Sequence, residues 1–478
     1  MCGIMGYIGI NNIGQKVVFE GLKNLEYRGY DSWGIAVKKN NKFEVVKKTG
    51  KIGSSRPKLT KSNLSIGHTR WATHGGVTIA NAHPHLDCSK KIALVHNGII
   101  ENYEEIKKEL TKKDHIFLSE TDTEVAVHLI EENLKKTSFE TAVKKSFKRF
   151  QGLNAIVVAD LKSGQISAVK NGTPLVVGIG RDEFFIASDI SGILKYTKKT
   201  IFLEDNQMIV LGKKIKLIDI KRNKKLKPKI NTLSFQIKQE EKGRYKHFIQ
   251  KEIFKKPQII KKIALEFDEN AVKLAKLIKK AEGVFLVGCG SASYVCLAGT
   301  YLFSNISKTH LNFTTGSEFK YLENYLTPKS LVVPISQSGE TIDILDPVKK
   351  AQNKKAKIAA ITNVLGSSLY RMADYKFLLN AGPEKAVLAT KSFTAMLAEL
   401  YFVAYAQINK DKEAKKNLII ASKNMEEILK PIYLKRIKNF TKKIKNIKHI
   451  YVIGRGLSYA IAMETALKIK EASYIHAE

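Results

Sequence analysis

The sequence predicts an α+β domain followed by α/β domains built on a parallel sheet, the second of these incomplete. Three observations carry that reading. Residues 1 to about 220 mix short apolar runs with only a few helical patterns. Beyond a lysine-rich stretch from about Arg222 to Lys246, which contains Pro228 and little apolar periodicity, short apolar runs alternate with helical ones, as βαβ units require. Near residues 285 and 451 the same succession of apolar run, Gly-x-Gly and helix occurs twice, which implies duplication of one α/β domain.

The elements follow in chain order. Val17, Val18, Leu22 and Leu25 recur at helical spacing, and the helix they predict stops at Gly29. Ile92 to Val95 and Ala155 to Val158 read as strands. Thr121-Asp122-Thr123-Glu124 has a capping-box pattern that would place Asp122 in the first turn of a further helix. Val284 to Val287, Ser330 to Ile335 and Lys357 to Ile361 are strands of the parallel sheet. Pro334 cannot donate a ladder hydrogen bond, so its strand is expected at an edge or with a bulge. From about Ser392 to Gln407, Phe393, Met396, Leu397, Leu400 and Val403 share one side of a helix and read as core.

The duplicated segments are Phe285-Leu286-Val287-Gly288-Cys289-Gly290 and Tyr451-Val452-Ile453-Gly454-Arg455-Gly456. One strand and one helix cannot bury a doubly wound sheet, so residues beyond Glu478 or another polypeptide are expected to complete the second copy. The predicted division is a first domain at 1–220, linker and junction at 221–270, a first α/β domain at 271–415 and the start of a second at 440–478.

The chain has 478 residues, 44% hydrophobic and 26% charged, the balance of a soluble globular protein rather than a disordered one. Its net charge of +36 raises nucleic acid or an anionic membrane as a partner. Lysine supplies nearly all of it and is spread along the chain, whereas bidentate phosphate and base contacts favour arginine. A solvated lysine-rich surface is therefore expected, with neither nucleic acid nor membrane as partner. Cys2, Cys88, Cys289 and Cys296 are too scattered to staple the fold, and no apolar run approaches the length of a membrane span, so a cytoplasmic location is predicted.

Cys2 follows the initiator methionine. Removal of Met1 would give it a free α-amine whose reference pKa of about 7.7–8.0 lies near the thiol's of about 8.5, so one residue could supply nucleophile and proton acceptor. Cys2-Gly3-Ile4, Tyr27-Arg28-Gly29-Tyr30-Asp31, Gly67-His68-Thr69-Arg70-Trp71-Ala72-Thr73-His74-Gly75 and His96-Asn97-Gly98-Ile99-Ile100-Glu101-Asn102 together resemble the glutaminase domain of the N-terminal-nucleophile amidotransferases. The resemblance implies an N-terminal-nucleophile hydrolase fold, a sandwich of β-sheets between helices. It implies that Cys2 attacks the side-chain amide of glutamine, that Asn97 and the Gly98 N–H form the oxyanion hole, and that Arg70 and Asp122 hold the α-carboxylate and ammonium. Trp71, Thr73, His74 and Arg28 would complete the glutamine site. Trp33 stands where this family has a small residue, which would alter packing beside that site. His83-Pro84-His85 with Cys88 fits no zinc-ligand spacing, and no metal is predicted.

In the second half, Ser336-Gln337-Ser338-Gly339-Glu340-Thr341 follows a strand and opens a helix, where hydroxyls and N–H groups can cradle a phosphate. With Gly288-Cys289-Gly290-Ser291 it resembles the sugar isomerase domain. Adding Arg244 to Ile253, Ala389-Thr390-Lys391-Ser392 and Ala466 to Glu478, the whole chain is similar to the glutamine:fructose-6-phosphate amidotransferase family of hexosamine biosynthesis. That resemblance implies phosphate binding by Ser291, Ser336, Gln337, Ser338 and Thr341, with Val387 near the sugar. Glu471 would carry a proton between C1 and C2, with Lys468 on the same helix face. Ala292 and Leu388-Ala389 depart from the family pattern near the phosphate. The resemblance also implies no cofactor, a homodimer, and a continuation past Glu478 that supplies further sugar-site groups. Should the chain end at Glu478, the alternatives are a glutaminase-only remnant or a phosphosugar-binding regulator.

Overall fold

The structure is a computed structural model in which residues 2–233 and 242–478 are described. It divides into two compact units, Met1–Lys238 and Gln239–Glu478.

The first unit carries strands β1 (Gly3–Gly9), β2 (Ser32–Lys39), β3 (Lys42–Thr49), β4 (Leu64–Arg70), β5 (His85–Leu86), β6 (Ile92–Gly98), β7 (Asn154–Asp160) and β8 (Gln165–Asn171). Shorter strands follow: β9 (Val176–Ile179), β10 (Glu183–Ala187), β11 (Lys199–Phe202), β12 (Gln207–Leu211), β13 (Lys216–Asp219), β14 (Lys224–Leu226) and β15 (Asn231–Thr232). Its helices are α1 (Gly14–Leu25), α2 (Tyr103–Thr111), α3 (Thr123–Leu134) and α4 (Phe139–Phe147). The strands form two antiparallel sheets, ordered β15-β11-β9-β10-β1-β4-β2-β3 and β14-β13-β12-β8-β7-β6-β5.

Strand alternation explains the layering. Ile4, Ala36 and Ile66 of one sheet meet Ala93, Val95, Ala155 and Val157 of the other in the middle of a sandwich. On the outer faces, Met5 and Tyr7 turn to Val17, Val18 and Leu22 of α1, and Ile92, Leu94, Ile156 and Val158 turn to α2, α3 and α4. The result is helix, sheet, sheet, helix, as the resemblance implied. Leu22 is completely buried. Leu22→Ala is expected to cost about 2–5 kcal/mol and lower the unfolding midpoint followed by fluorescence, because Trp33 lies in the same cluster.

Two expectations need correction here. β14 and β15 lie in the stretch read as linker: they pair with β13 and β11, so both sheets run past residue 220. Lys224 and Lys225 are exposed on a sheet edge, where lysine is favoured and apolar periodicity is absent. The capping box does not form. Asp122 is the N-cap residue of α3 rather than part of its first turn, and its carboxylate accepts from the Ile100 N–H (2.7 Å) instead of its own helix. Trp33 is buried against Phe19, with ring centroids 6.0 Å apart, on the α1 side of the sheet.

The second unit begins with α5 (Phe248–Glu266) and α6 (Asp268–Lys280), then alternates β16 (Gly283–Gly288), α7 (Ser291–Ile306), β17 (Asn312–Thr315), α8 (Gly316–Leu322), β18 (Ser330–Ser336), α9 (Ile342–Asn353), β19 (Lys357–Thr362), α10 (Ser368–Met372) and β20 (Tyr375–Leu378). It closes with α11 (Lys391–Ala406), α12 (Asp411–Ile428), α13 (Pro431–Lys443), β21 (His449–Ile450), α14 (Leu457–Ser473) and β22 (His476–Ala477). β16 to β20 form a parallel sheet of order β17-β16-β18-β19-β20. Helices cover both faces: α5, α6, α7, α11 and α12 share one core, and α8, α9 and α10 share the other. Ile259, Ile260 and Ile263 of α5 belong to that first core, although their segment reads as a junction in the sequence.

Pro334 sits in the central strand of five, neither at an edge nor in a bulge. Toward β16 it pairs with Val287, and toward β19 the ladder skips residues 333 and 334 while Leu331↔Lys357 and Ile335↔Ile361 keep one register. Pairs on either side therefore hold the strand across the missing donor. The duplication is visible in the backbone: Gly290, before α7, has φ 55° and ψ −129°, and Gly456, before α14, has φ 60° and ψ −131°. Only glycine adopts this conformation readily. The expected strand at Tyr451 to Ile453 does not form. β21 stops at Ile450 and pairs with β22, the Val452 N–H still donates to the Glu478 carbonyl oxygen, and Tyr451 and Ile453 are 77% and 93% exposed. No helix among the described residues is long and apolar enough to cross a membrane.

Candidate active sites

In the first unit, three strand ends converge. Cys2 leads into β1, whose neighbour β4 ends at Arg70 and delivers Trp71, while β6 of the other sheet ends at Asn97-Gly98. The Trp71 N–H donates to Cys2 Sγ (3.2 Å), and the Asn97 Nδ2 and Arg28 Nε donate to the Cys2 carbonyl oxygen (both 3.2 Å). Burial pushes the Cys2 thiol pKa up, opposed by the Trp71 N–H. The sulfur is therefore held as a thiol.

The Asn97 amide is aimed by His68, whose Nε2 lies 2.9 Å from Asn97 Oδ1. Burial depresses the His68 pKa to about 3, so the ring is neutral, and its Nε2 must carry the proton that the amide oxygen accepts. Gly98 has φ +131°, and a Cβ there would fall 2.2 Å from the Leu153 carbonyl oxygen, so the position requires glycine.

Arg70 is buried and donates to the carbonyl oxygens of His74, Gly75 (3.1 Å) and Gly76 (3.0 Å). Asp31 accepts from the Ala72 N–H (2.8 Å), so the loop carrying Trp71, Thr73 and His74 is held at both ends. Trp71 meets Tyr30 edge-on at 5.3 Å and His74 meets Tyr103 edge-on at 4.7 Å. Thr73 is exposed. Arg28 is buried, ion-paired with Asp189 (3.4 Å) and donates to the Cys2 carbonyl oxygen, so it orders the backbone at Cys2.

His83 and His85 meet edge-on with centroids 4.9 Å apart, whereas Cys88 belongs to a different cluster. His83 stacks on His68 with centroids 4.2 Å apart, His85 Nε2 lies 3.0 Å from Thr121 Oγ1, and Cys88 faces His115 and His128. His68, Asp31 and Asp189 were missed as contributors by the sequence reading. For His68 a signal exists, since strand alternation puts it on the same face as Arg70.

In the second unit, the Gly288 to Ser291 and Ser336 to Thr341 turns lie at the carboxyl ends of adjacent β16 and β18. Chain order reverses between these two strands, the place where open α/β sheets bind ligands. Ser336 Oγ accepts from the Gly339 N–H (3.1 Å) and lies 3.1 Å from Thr341 Oγ1, and Ser338 Oγ accepts from the Glu340 N–H (3.1 Å). Thr341 is the N-cap of α9 but makes no side-chain cap, and Gln337 is half-buried beside it in sequence. The loop bearing Val387, itself 55% exposed, is pinned by Glu252: its carboxylate accepts from the N–H groups of Lys385 (2.6 Å) and Ala386 (2.9 Å) and from Thr390 Oγ1 (2.7 Å).

α14 packs on α7 and presents Glu464, Lys468 and Glu471 along one face. Lys468 Nζ lies 3.7 Å from Glu464 Oε1 and also pairs with Glu471. Glu464 is buried and hydrogen-bonded with Ser291, while Glu471 is exposed. Burial raises the Glu464 pKa to about 7, against the pull of Lys468 and Ser291, which suits it to trade a proton near neutrality. Glu464 lies one turn before Lys468, a spacing visible in the sequence that marks the two as one helix face.

Known proteins share these features. The family described as SIS domain matches residues 277–406 and 443–478, and the family described as glutamine amidotransferase domain matches residues 68–195. The glutamine–fructose-6-phosphate aminotransferase (isomerizing) of Pyrococcus horikoshii is 39% identical over 100% of this chain and 81% of its own length. That of Thermococcus kodakarensis is 40% identical over 100% of this chain and 82% of its own. Among solved structures, the C-terminal domain of glucosamine-fructose-6-phosphate aminotransferase from Francisella tularensis is 32% identical with a TM-score of 0.45, covering 50% of this chain and 71% of that one.

Proposed function

Because the chain belongs to the glutamine–fructose-6-phosphate aminotransferase (isomerizing) family, we propose that it converts L-glutamine and D-fructose 6-phosphate into L-glutamate and D-glucosamine 6-phosphate. The observation that carries this reading is the convergence of Cys2 with Asn97-Gly98 in one unit of a chain whose other unit holds a hydroxyl-rich turn at a sheet switch point. Cys2 Sγ attacks the amide carbon of glutamine, and the α-amine exposed by removal of Met1 takes the thiol proton. The oxyanion that forms lies against Asn97 Nδ2 and the Gly98 N–H. Collapse of the intermediate expels ammonia and leaves a thioester, which water converts to glutamate.

Arg70 and Asp122 bind the α-carboxylate and ammonium of glutamine, with Trp71, Thr73 and His74 beside them. Arg70 exchanges its loop carbonyl partners for the substrate. On the sugar side, Ser291, Ser336, Gln337, Ser338 and Thr341 hold the phosphate with the N-terminus of α9, and Val387 lies near the sugar. Ammonia condenses with the C2 carbonyl and releases water. Glu471 then moves a proton from C1 to C2, with Lys468 paired to its carboxylate. The protein works as a cytoplasmic homodimer.

The test is to supply the purified chain with both substrates and measure glucosamine 6-phosphate and glutamate together. Equal amounts are expected; glutamate alone would leave a glutaminase and reject the synthase reading. Ser336→Ala should raise KM for fructose 6-phosphate about tenfold, the value of one hydrogen bond to an anion, without changing glutamine hydrolysis measured separately.

A further inference from the structure

Outside both sites, four side chains from three chain segments meet on the outer side of the second sheet. Cys88 comes from the turn between β5 and β6, His115 from the loop after α2, and His128 and Glu131 from α3. Cys88 Sγ lies 3.8 Å from His115 Nδ1 and 3.7 Å from His128 Nδ1. Glu131 Oε2 lies 3.2 Å from His115 Nδ1 and 3.0 Å from His128 Nδ1. The four donor atoms all fall within 4.8 Å of one another.

We propose that Cys88, His115, His128 and Glu131 bind a zinc ion that fastens α3 to the β5–β6 turn and to the loop after α2. Zinc bond lengths of about 2.0–2.3 Å predict tetrahedron edges of about 3.3 Å between nitrogen and oxygen donors and about 3.6 Å between sulfur and nitrogen. The two sulfur–nitrogen and two oxygen–nitrogen contacts differ from those edges by a few tenths of an ångström, and the other two pairs lie within 4.8 Å. One thiolate, one carboxylate and two neutral imidazoles balance the charge of a divalent ion, and a mixed S, N, O set of four leaves no open position. The role is therefore structural.

The far side of each ring supports the same assignment. His115 Nε2 lies 3.2 Å from Glu132 Oε2, and His128 Nε2 faces Glu124 Oε1 at 3.8 Å. Both nitrogens of each buried ring thus face a carboxylate. A metal on the Nδ1 side lets each ring keep a single proton on Nε2, directed at Glu132 or Glu124, which is the usual arrangement of a metal-bound histidine and its supporting carboxylate. Cys88 is exposed and leaves the ion a route in. The ligands are far apart in sequence, 27 residues from Cys88 to His115 and 40 from Cys88 to His128, so no local spacing pattern announces them.

The test uses the full chain, stripped with a chelator and titrated with cobalt(II), then with zinc against a chromophoric competitor. One equivalent of cobalt is expected, with the visible bands of a tetrahedral ion and a thiolate charge-transfer band, both displaced by zinc. Cys88→Ser should lose the charge-transfer band and bind zinc at least tenfold more weakly with its circular dichroism unchanged. Glu131→Gln, read the same way, should weaken zinc while keeping the thiolate band. A wild-type chain that takes up no cobalt, or a thiolate band that persists in Cys88→Ser, would overturn the assignment.

Discussion

Cys2→Ala should lower glutamine-dependent formation of glucosamine 6-phosphate by about four orders of magnitude, since no other group near Asn97 and Gly98 can form the thioester. Glutamate release should fall in parallel. With ammonium salt in place of glutamine, the sugar reaction should persist, because its groups lie in the second unit. The physical basis is the state of the sulfur. Burial raises the thiol pKa, and the Trp71 N–H and the charges of Arg70 and Arg28 oppose it without cancelling it, so reactivity depends on proton transfer to an adjacent base. A chain in which Met1 cannot be removed should therefore resemble Cys2→Ala. Undiminished glutamine turnover in either protein would defeat the mechanism.

The second large effect is expected at Gly98. Gly98→Ala puts a methyl group 2.2 Å from a backbone oxygen at φ +131°, a conformation that an L side chain rarely adopts. Neither Leu153 nor the end of β6 can yield without moving the Asn97 amide, which already bonds His68 and the Cys2 carbonyl. Loss of the oxyanion donors should lower kcat for glutamine hydrolysis about 10²–10³-fold. The strain should also destabilise the first unit by roughly 1–3 kcal/mol. Asn97→Ala separates the two effects: it removes one donor without backbone strain, so its kcat should fall while its melting temperature changes less. Equal activity of Gly98→Ala and the wild type would refute the oxyanion assignment.

Much of this molecule was legible in one dimension. Strand and helix periods marked α1, β6, β7 and the βαβ succession correctly, because both depend on local alternation of apolar residues. The doubled Gly-x-Gly motif was legible for a related reason: the same backbone dihedrals at Gly290 and Gly456 demand glycine wherever they occur. β14 was not legible, since an edge strand facing solvent needs no apolar face. Pro334 misled because a ladder tolerates one missing donor when flanking pairs hold its register.

Side-chain types and their order along the chain carried the family resemblance, from which the roles proposed for Cys2 and the Ser336 to Thr341 turn follow. The partners of those groups were settled only by folding. His68 aims Asn97 across two sheets, Arg28 reaches the Cys2 backbone and Asp189, and Glu464 finds Ser291 between two helices. Cys88 meets His115 and His128 on the same terms. Contacts of this kind join residues tens to hundreds of positions apart, and their geometry exists only once sheet register and helix packing have been set.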